Sequence, residues 1–132
     1  MQSSTQVAQR SFGKLAKVKG NVITPEDSTY DRARTVFYGG IDKRPAAIVQ
    51  VADVADVQRV IATARDEGHE LAVRSGGHSI AGHCTTDGGI VIDLRPMAKI
   101  EIDANDRTAW VETGRNGPSP RHTHCGSRPR EP

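Results

Sequence analysis

Val73-Arg74-Ser75-Gly76-Gly77-His78-Ser79-Ile80-Ala81-Gly82-His83 sets two adjacent glycines directly behind a short apolar run. That run, Glu70 to Val73, reads as a strand. Paired glycines at its end mark a sharp turn, because glycine takes positive φ without strain and lets the backbone come close to a ligand. Successive N–H groups in such a turn can converge into a nest for an anion. A diphosphate suits that geometry. Ser75 and Ser79 add hydroxyl donors, Arg74 adds a charge, and His78 lies beside whatever the loop holds. A plain tight turn with a capping serine fits the same residues. Physics alone leaves both readings open.

The flanking sequence builds a mixed pattern. Phe12, Leu15 and Val18 fall near helical spacing in a polar segment that ends at Gly20. Thr24-Pro25-Glu26-Asp27 reads as a helix start, with Pro early and acids in the first turn. Tyr30, Ala33 and Phe37 continue it, and Gly39-Gly40 ends it. Ala46 to Val51 reads as a buried strand. Asp53 is a good N-cap with Asp56 three residues on. Val54, Val57, Ile61 and Ala64 predict the apolar face of a helix, closed by Gly68. Ile90 to Leu94 is the next strand, with Asp93 ending it and capping a turn. Ile100 to Ile102 and Ala109 to Glu112 alternate like half-exposed strands around a turn at Ala104-Asn105-Asp106. The expected fold class is α+β, with the strands on either side of the Asp53 helix forming a βαβ unit.

Composition narrows the function. The 132 residues allow one domain, and only five of them are Phe, Tyr or Trp, which supports a modest core. No apolar run is long enough to span a membrane. The N-terminus has no apolar block or cleavage site of a secretory signal, so a cytoplasmic location is expected. Two cysteines, Cys84 and Cys125, make no disulfide framework. The net charge of +2 owes its sign to the segment from Arg115 to Pro132, which holds four Arg and one Glu. No basic stripe with interleaved aromatics is present, so a nucleic-acid partner is not favoured. That same segment contains no Ala, Val, Leu, Ile, Met, Phe, Tyr or Trp and is expected to be disordered. Its Arg/Pro/His/Ser/Gly bias also fits a coding frame lost near Gly114. The chain thus divides into a polar segment over 1–19, a domain over 20–114 and a tail over 115–132. His83 and Cys84 near His78 match no zinc spacing and lack a fourth ligand, so no metal is expected. Trp110 is read as packing and the helix Asp53 to Asp66 as scaffold.

A wider set of residues carries a resemblance. It runs through Gly20-Asn21-Val22, Pro25, Tyr30, Pro45-Ala46-Ala47-Ile48-Val49, Asp56-Val57, Ala64-Arg65, Val73 to Ser79, Gly82, Asp87 to Leu94, Met97 and Gly114. This resembles the N-terminal part of berberine-bridge-enzyme-like FAD-linked oxidases. These belong to the vanillyl-alcohol-oxidase and p-cresol-methylhydroxylase (PCMH) flavoproteins. The resemblance covers about Gly20 to Gly114 and is most specific at Arg74-Ser75-Gly76-Gly77-His78-Ser79. It implies an incomplete PCMH-type FAD-binding domain and FAD as cofactor. It also implies that Arg74, Ser75, Gly76, Gly77, His78, Ser79 and Gly82 bind that cofactor. In many members the histidine matching His78 is bonded covalently to the flavin, and a neutral imidazole is a suitable nucleophile. The second flavin-linking cysteine of some members has no match in Cys84 or Cys125.

The implied reaction is hydride transfer from a small-molecule substrate to flavin. The substrate domain and catalytic base of the family have no counterpart in the sequence, so no catalytic residue is assigned. A chain inactive by itself is expected. The alternative is a non-catalytic fragment, or a small anion- or nucleotide-binding module that needs a partner chain.

Overall fold

Ile90-Val91-Ile92-Asp93 is buried at every position, and it takes the centre of the sheet. The computed structural model describes residues 12–115. A 3-10 helix over Gly13–Lys17 comes first. It is followed by β1 (Asn21–Ile23), α1 (Tyr30–Arg34), β2 (Ala47–Gln50), α2 (Val54–Glu67), β3 (Leu71–Arg74), β4 (Ile90–Asp93), β5 (Ile100–Asp103) and β6 (Thr108–Val111). Four strands form one sheet in the order β1-β2-β4-β3, and β5 pairs with β6 in a separate hairpin. The fold is α+β, as the sequence predicts. Residues 1–11 and 116–132 lie outside the described residues, and with them most of the tail read as disordered.

The βαβ unit forms as expected, but its two strands are not neighbours. β2 and β3 run parallel across α2, but β4 stands between them, parallel to both. A strand buried on both faces must be central, and β4 is the most apolar of the three. β1 pairs antiparallel with the outer side of β2.

Strand alternation sorts the side chains onto two faces. Ala47, Val49, Val51, Ile90 and Ile92 pack under α2 and the 3-10 helix against Val60, Ala64 and Leu15. Ile48, Val91, Ala72 and Ile23 meet Tyr30 and Ala33 of α1 on the other face. The Tyr30 hydroxyl, buried there, donates to the Pro45 carbonyl at 2.6 Å.

α2 is capped as expected. Asp53 accepts the Asp56 amide at 2.9 Å, and Gly68 takes φ 72° at the C-terminus. Its buried stripe differs from the expected one, since Val54 and Ile61 are exposed while Asp56, Val60, Thr63 and Ala64 are buried. Two polar residues occupy that stripe because their hydrogen bonds are met. Asp56 accepts from the amides of Lys19, Gly20 and Ala52, and Thr63 donates to the Arg59 carbonyl. The helix expected from Pro25 is reduced to Tyr30–Arg34, with turns before it. Phe37 lies beyond its end and is exposed. The β5–β6 hairpin forms where expected, but β6 is exposed throughout rather than half-exposed.

Candidate functional site

The three parallel strands β2, β4 and β3 end side by side at Gln50, Asp93 and Arg74. Ligands of α/β sheets bind outside such carboxyl ends. The glycine loop leaves from this edge. It crosses the α1 face of the sheet before entering β4, held against the segment that joins α1 to β2. Phe37 donates its amide to the Gly77 carbonyl at 3.2 Å, and Gly88 donates to the Arg44 carbonyl at 2.9 Å. Arg44 in turn donates its amide to the Asp87 carboxylate at 2.7 Å.

Of the glycine pair, Gly77 takes the left-handed conformation, φ 72°. Among the described residues, no backbone N–H from Ser75 to Ser79 donates to a protein acceptor. Five successive amides are thus left without an internal partner; Gly77 among them is buried, where a backbone donor is ordinarily paired, while its neighbours are half-buried and His78 is exposed. Gly82 also has positive φ, but its amide donates to the Ser79 carbonyl, so it shapes the turn rather than adding a free donor. The Ser79 hydroxyl accepts the His83 amide at 3.1 Å, which is the capping role of the plain reading.

His78 is exposed and meets Phe37 edge to face, with ring centroids 5.1 Å apart. Phe37 meets Tyr38 in the same way at 5.1 Å. An exposed aromatic pair therefore flanks the imidazole. The sequence assigned Phe37 to a helix stripe, and only the short α1 frees it for this place.

Arg74 is placed differently from the charge expected on the loop. Its side chain is buried beneath Gly77, where an added Cβ would lie 3.6 Å from Arg74 Cδ. Nη2 donates to Asp93 Oδ2 at 2.8 Å, while Nε and Nη1 are buried with no acceptor among the described residues. Arg95, which follows β4, also donates to Asp93. Burial by itself would raise the Asp93 pKa. The Arg95 and Arg74 guanidinium groups outweigh it and hold the carboxyl below its ordinary range. Asp93 also accepts the Arg95 amide at 3.2 Å, so it caps a turn as expected while anchoring two cations.

Cys84 is buried with a free thiol. No group of three metal-ligating side chains occurs among the described residues. No helix among them is long and apolar enough to cross a membrane.

Residues 45–119 match the family described as FAD binding domain. (R)-6-hydroxynicotine oxidase of Paenarthrobacter nicotinovorans is 40% identical over 97 residues, covering 74% of this chain and 21% of that protein. Berberine bridge enzyme-like 9 of Arabidopsis thaliana is 36% identical over 80 residues, covering 59% of this chain and 15% of its own length. The crystal structure of 6-hydroxy-D-nicotine oxidase from Arthrobacter nicotinovorans superposes with a TM-score of 0.73 at 39% identity, covering 75% of this chain and 22% of that one. The chain thus spans about a fifth of the length of such relatives. It belongs to the berberine-bridge-enzyme-like FAD-linked oxidase family and corresponds to the N-terminal part of that family's PCMH-type FAD-binding domain.

Proposed function

We propose that the loop from Arg74 to Gly82 holds the diphosphate of FAD, in a protein that passes a hydride from a small-molecule substrate to the flavin. The observation that carries this reading is the row of five unpartnered amides from Ser75 to Ser79 at the carboxyl edge of the sheet. Amides directed at an anion in a concave turn bind it with little reorganisation. The two unpaired nitrogens of buried Arg74 lie under the same loop and add positive potential. Ser75 and Ser79 contribute hydroxyls, and Gly77 and Gly82 give the turn its path.

Bound FAD supplies the electron acceptor for substrate oxidation. The residues of this chain bind and position it. His78 is exposed beside the amide row and carries the nitrogen nucleophile for covalent attachment, which is part of this proposal.

The test is a titration of the full chain with FAD and with riboflavin, which lacks the diphosphate, followed by flavin fluorescence. FAD binding that inorganic pyrophosphate displaces, with riboflavin bound far more weakly, is the expected result. Equal binding of both flavins contradicts the diphosphate assignment. Intact mass after acid denaturation reads attachment separately: an added FAD that disappears in His78→Ala supports it, and an unmodified chain after FAD loading removes it.

A further inference from the structure

The carboxyl edge of the sheet holds a second guanidinium that the loop motif does not include. Asp93 Oδ2 accepts from Arg74 Nη2 at 2.8 Å and from Arg95 Nη2 at 2.5 Å. Arg95 Nε lies 2.9 and 3.0 Å from the two carboxylate oxygens. Two guanidinium groups that meet on one oxygen are neighbours, and with one carboxylate between them they leave one net positive charge. Arg74 ties this cluster to the loop, since its stem lies directly under Gly77.

The two arginines differ in access. The Arg74 side chain is 2% exposed and the Arg95 side chain 39%. A guanidinium carries five N–H donors. Asp93 engages Arg95 through Nε and Nη2, and Nη1 has no acceptor among the described residues. The backbone that presents Arg95 is fixed at several points. Leu94 donates its amide to the Arg74 carbonyl at 2.8 Å, and Met97 donates to the Leu94 carbonyl at 2.9 Å. Gly114 then closes on this turn, donating to the Met97 carbonyl at 2.8 Å. A Cβ on Gly114 would fall 2.1 Å from the Leu94 carbonyl oxygen, so the approach is close.

Resting on the cofactor reading above, we infer that Arg95 is a further binding residue for the anionic bridge of the dinucleotide. Asp93 orients its guanidinium, and buried Arg74 keeps the cluster positive. The charge that the sequence places at Arg74 is thus delivered to the ligand by Arg95.

The test uses the full chain and labels arginines with phenylglyoxal, with and without saturating FAD, the modified peptides being read by mass. The inference predicts that FAD slows labelling of Arg95, and that inorganic pyrophosphate does the same. A parallel titration of Arg95→Gln should show FAD binding weakened by about tenfold, the loss typical of one charged hydrogen bond, with riboflavin binding unchanged and Arg95→Lys retaining most of the affinity. The labelling experiment needs no variant, so a misfolded Arg95→Gln leaves it intact. Arg95 labelled equally fast with FAD bound overturns this inference and leaves the loop assignment standing. A chain that binds no FAD at all overturns both.

Discussion

Arg74 and Asp93 stand opposite each other at the ends of neighbouring parallel strands, joined by a 2.8 Å ion pair that water hardly reaches. Removing one member of such a pair strands the other charge in the interior. Asp93→Asn should therefore lower stability by about 3 to 5 kcal/mol, read by urea denaturation of the full chain. The same change releases Arg95, so FAD affinity should fall as well. A loss below about 1 kcal/mol would show that the pair is better solvated than the geometry indicates.

Gly20 approaches the end of β2 so closely that an added Cβ would lie 1.8 Å from the Gln50 carbonyl oxygen. That atom is backbone and cannot swing aside. Gly20→Ala should force β1 off the sheet edge and cost about 1 to 3 kcal/mol, in the range for overpacked sites. Gly13→Ala, which meets nothing within 4 Å, serves as the control and should change stability little. Equal melting temperatures for the two variants would contradict the close approach.

Acid should unfold the protein through two buried carboxylates. Burial acts to raise the Asp56 pKa, but hydrogen bonds from the amides of Lys19, Ala52 and Gly20 outweigh it and hold it low. Asp93 is held low by its two arginines against the same effect of burial. An unfolded aspartate titrates near about 3.9. A carboxylate whose folded pKa is lower stabilises the fold fully above that value and loses its contribution as pH falls through the folded one. The melting temperature should thus drop steeply below about pH 4. Asp56→Asn should be less stable at neutral pH and show a shallower acid drop. A melting temperature that stays level from pH 6 to pH 3 contradicts this account.

The interior of the sheet should behave as close-packed. Ile92 is 1% exposed and packs among Val49, Val60 and Ile90. Ile92→Ala should cost about 2 to 5 kcal/mol, whereas Ile61→Ala on the exposed face of α2 should be nearly neutral. Reversal of that order would restore the helix face predicted from spacing.

Much of this was legible in the residues. Asp53 and Gly68 gave both ends of α2, because caps are local chemistry. The glycine pair gave the loop, and the run Val73 to Ser79 gave the family resemblance. The rotation of α2 was not legible, since buried Asp56 and Thr63 depend on partners as distant as Lys19 and Gly20. The place of β4 between β2 and β3 was hidden too, because spacing says nothing of strand order. Phe37 and Arg95 were missed for different reasons. Phe37 sits at helical spacing from Tyr30 and Ala33, and α1 stops short of it at Arg34. Arg95 carries no motif of its own, and the cue to it is a charged residue ending each of two apolar strands, Arg74 and Asp93.

The unengaged amide row is best read directly, by 1H–15N spectra of the full chain during titration with FAD. Downfield shifts concentrated on the N–H groups of Ser75 to Ser79, reproduced by inorganic pyrophosphate, are what the account predicts. Saturating FAD that leaves those five signals in place, or moves only signals elsewhere, would contradict it.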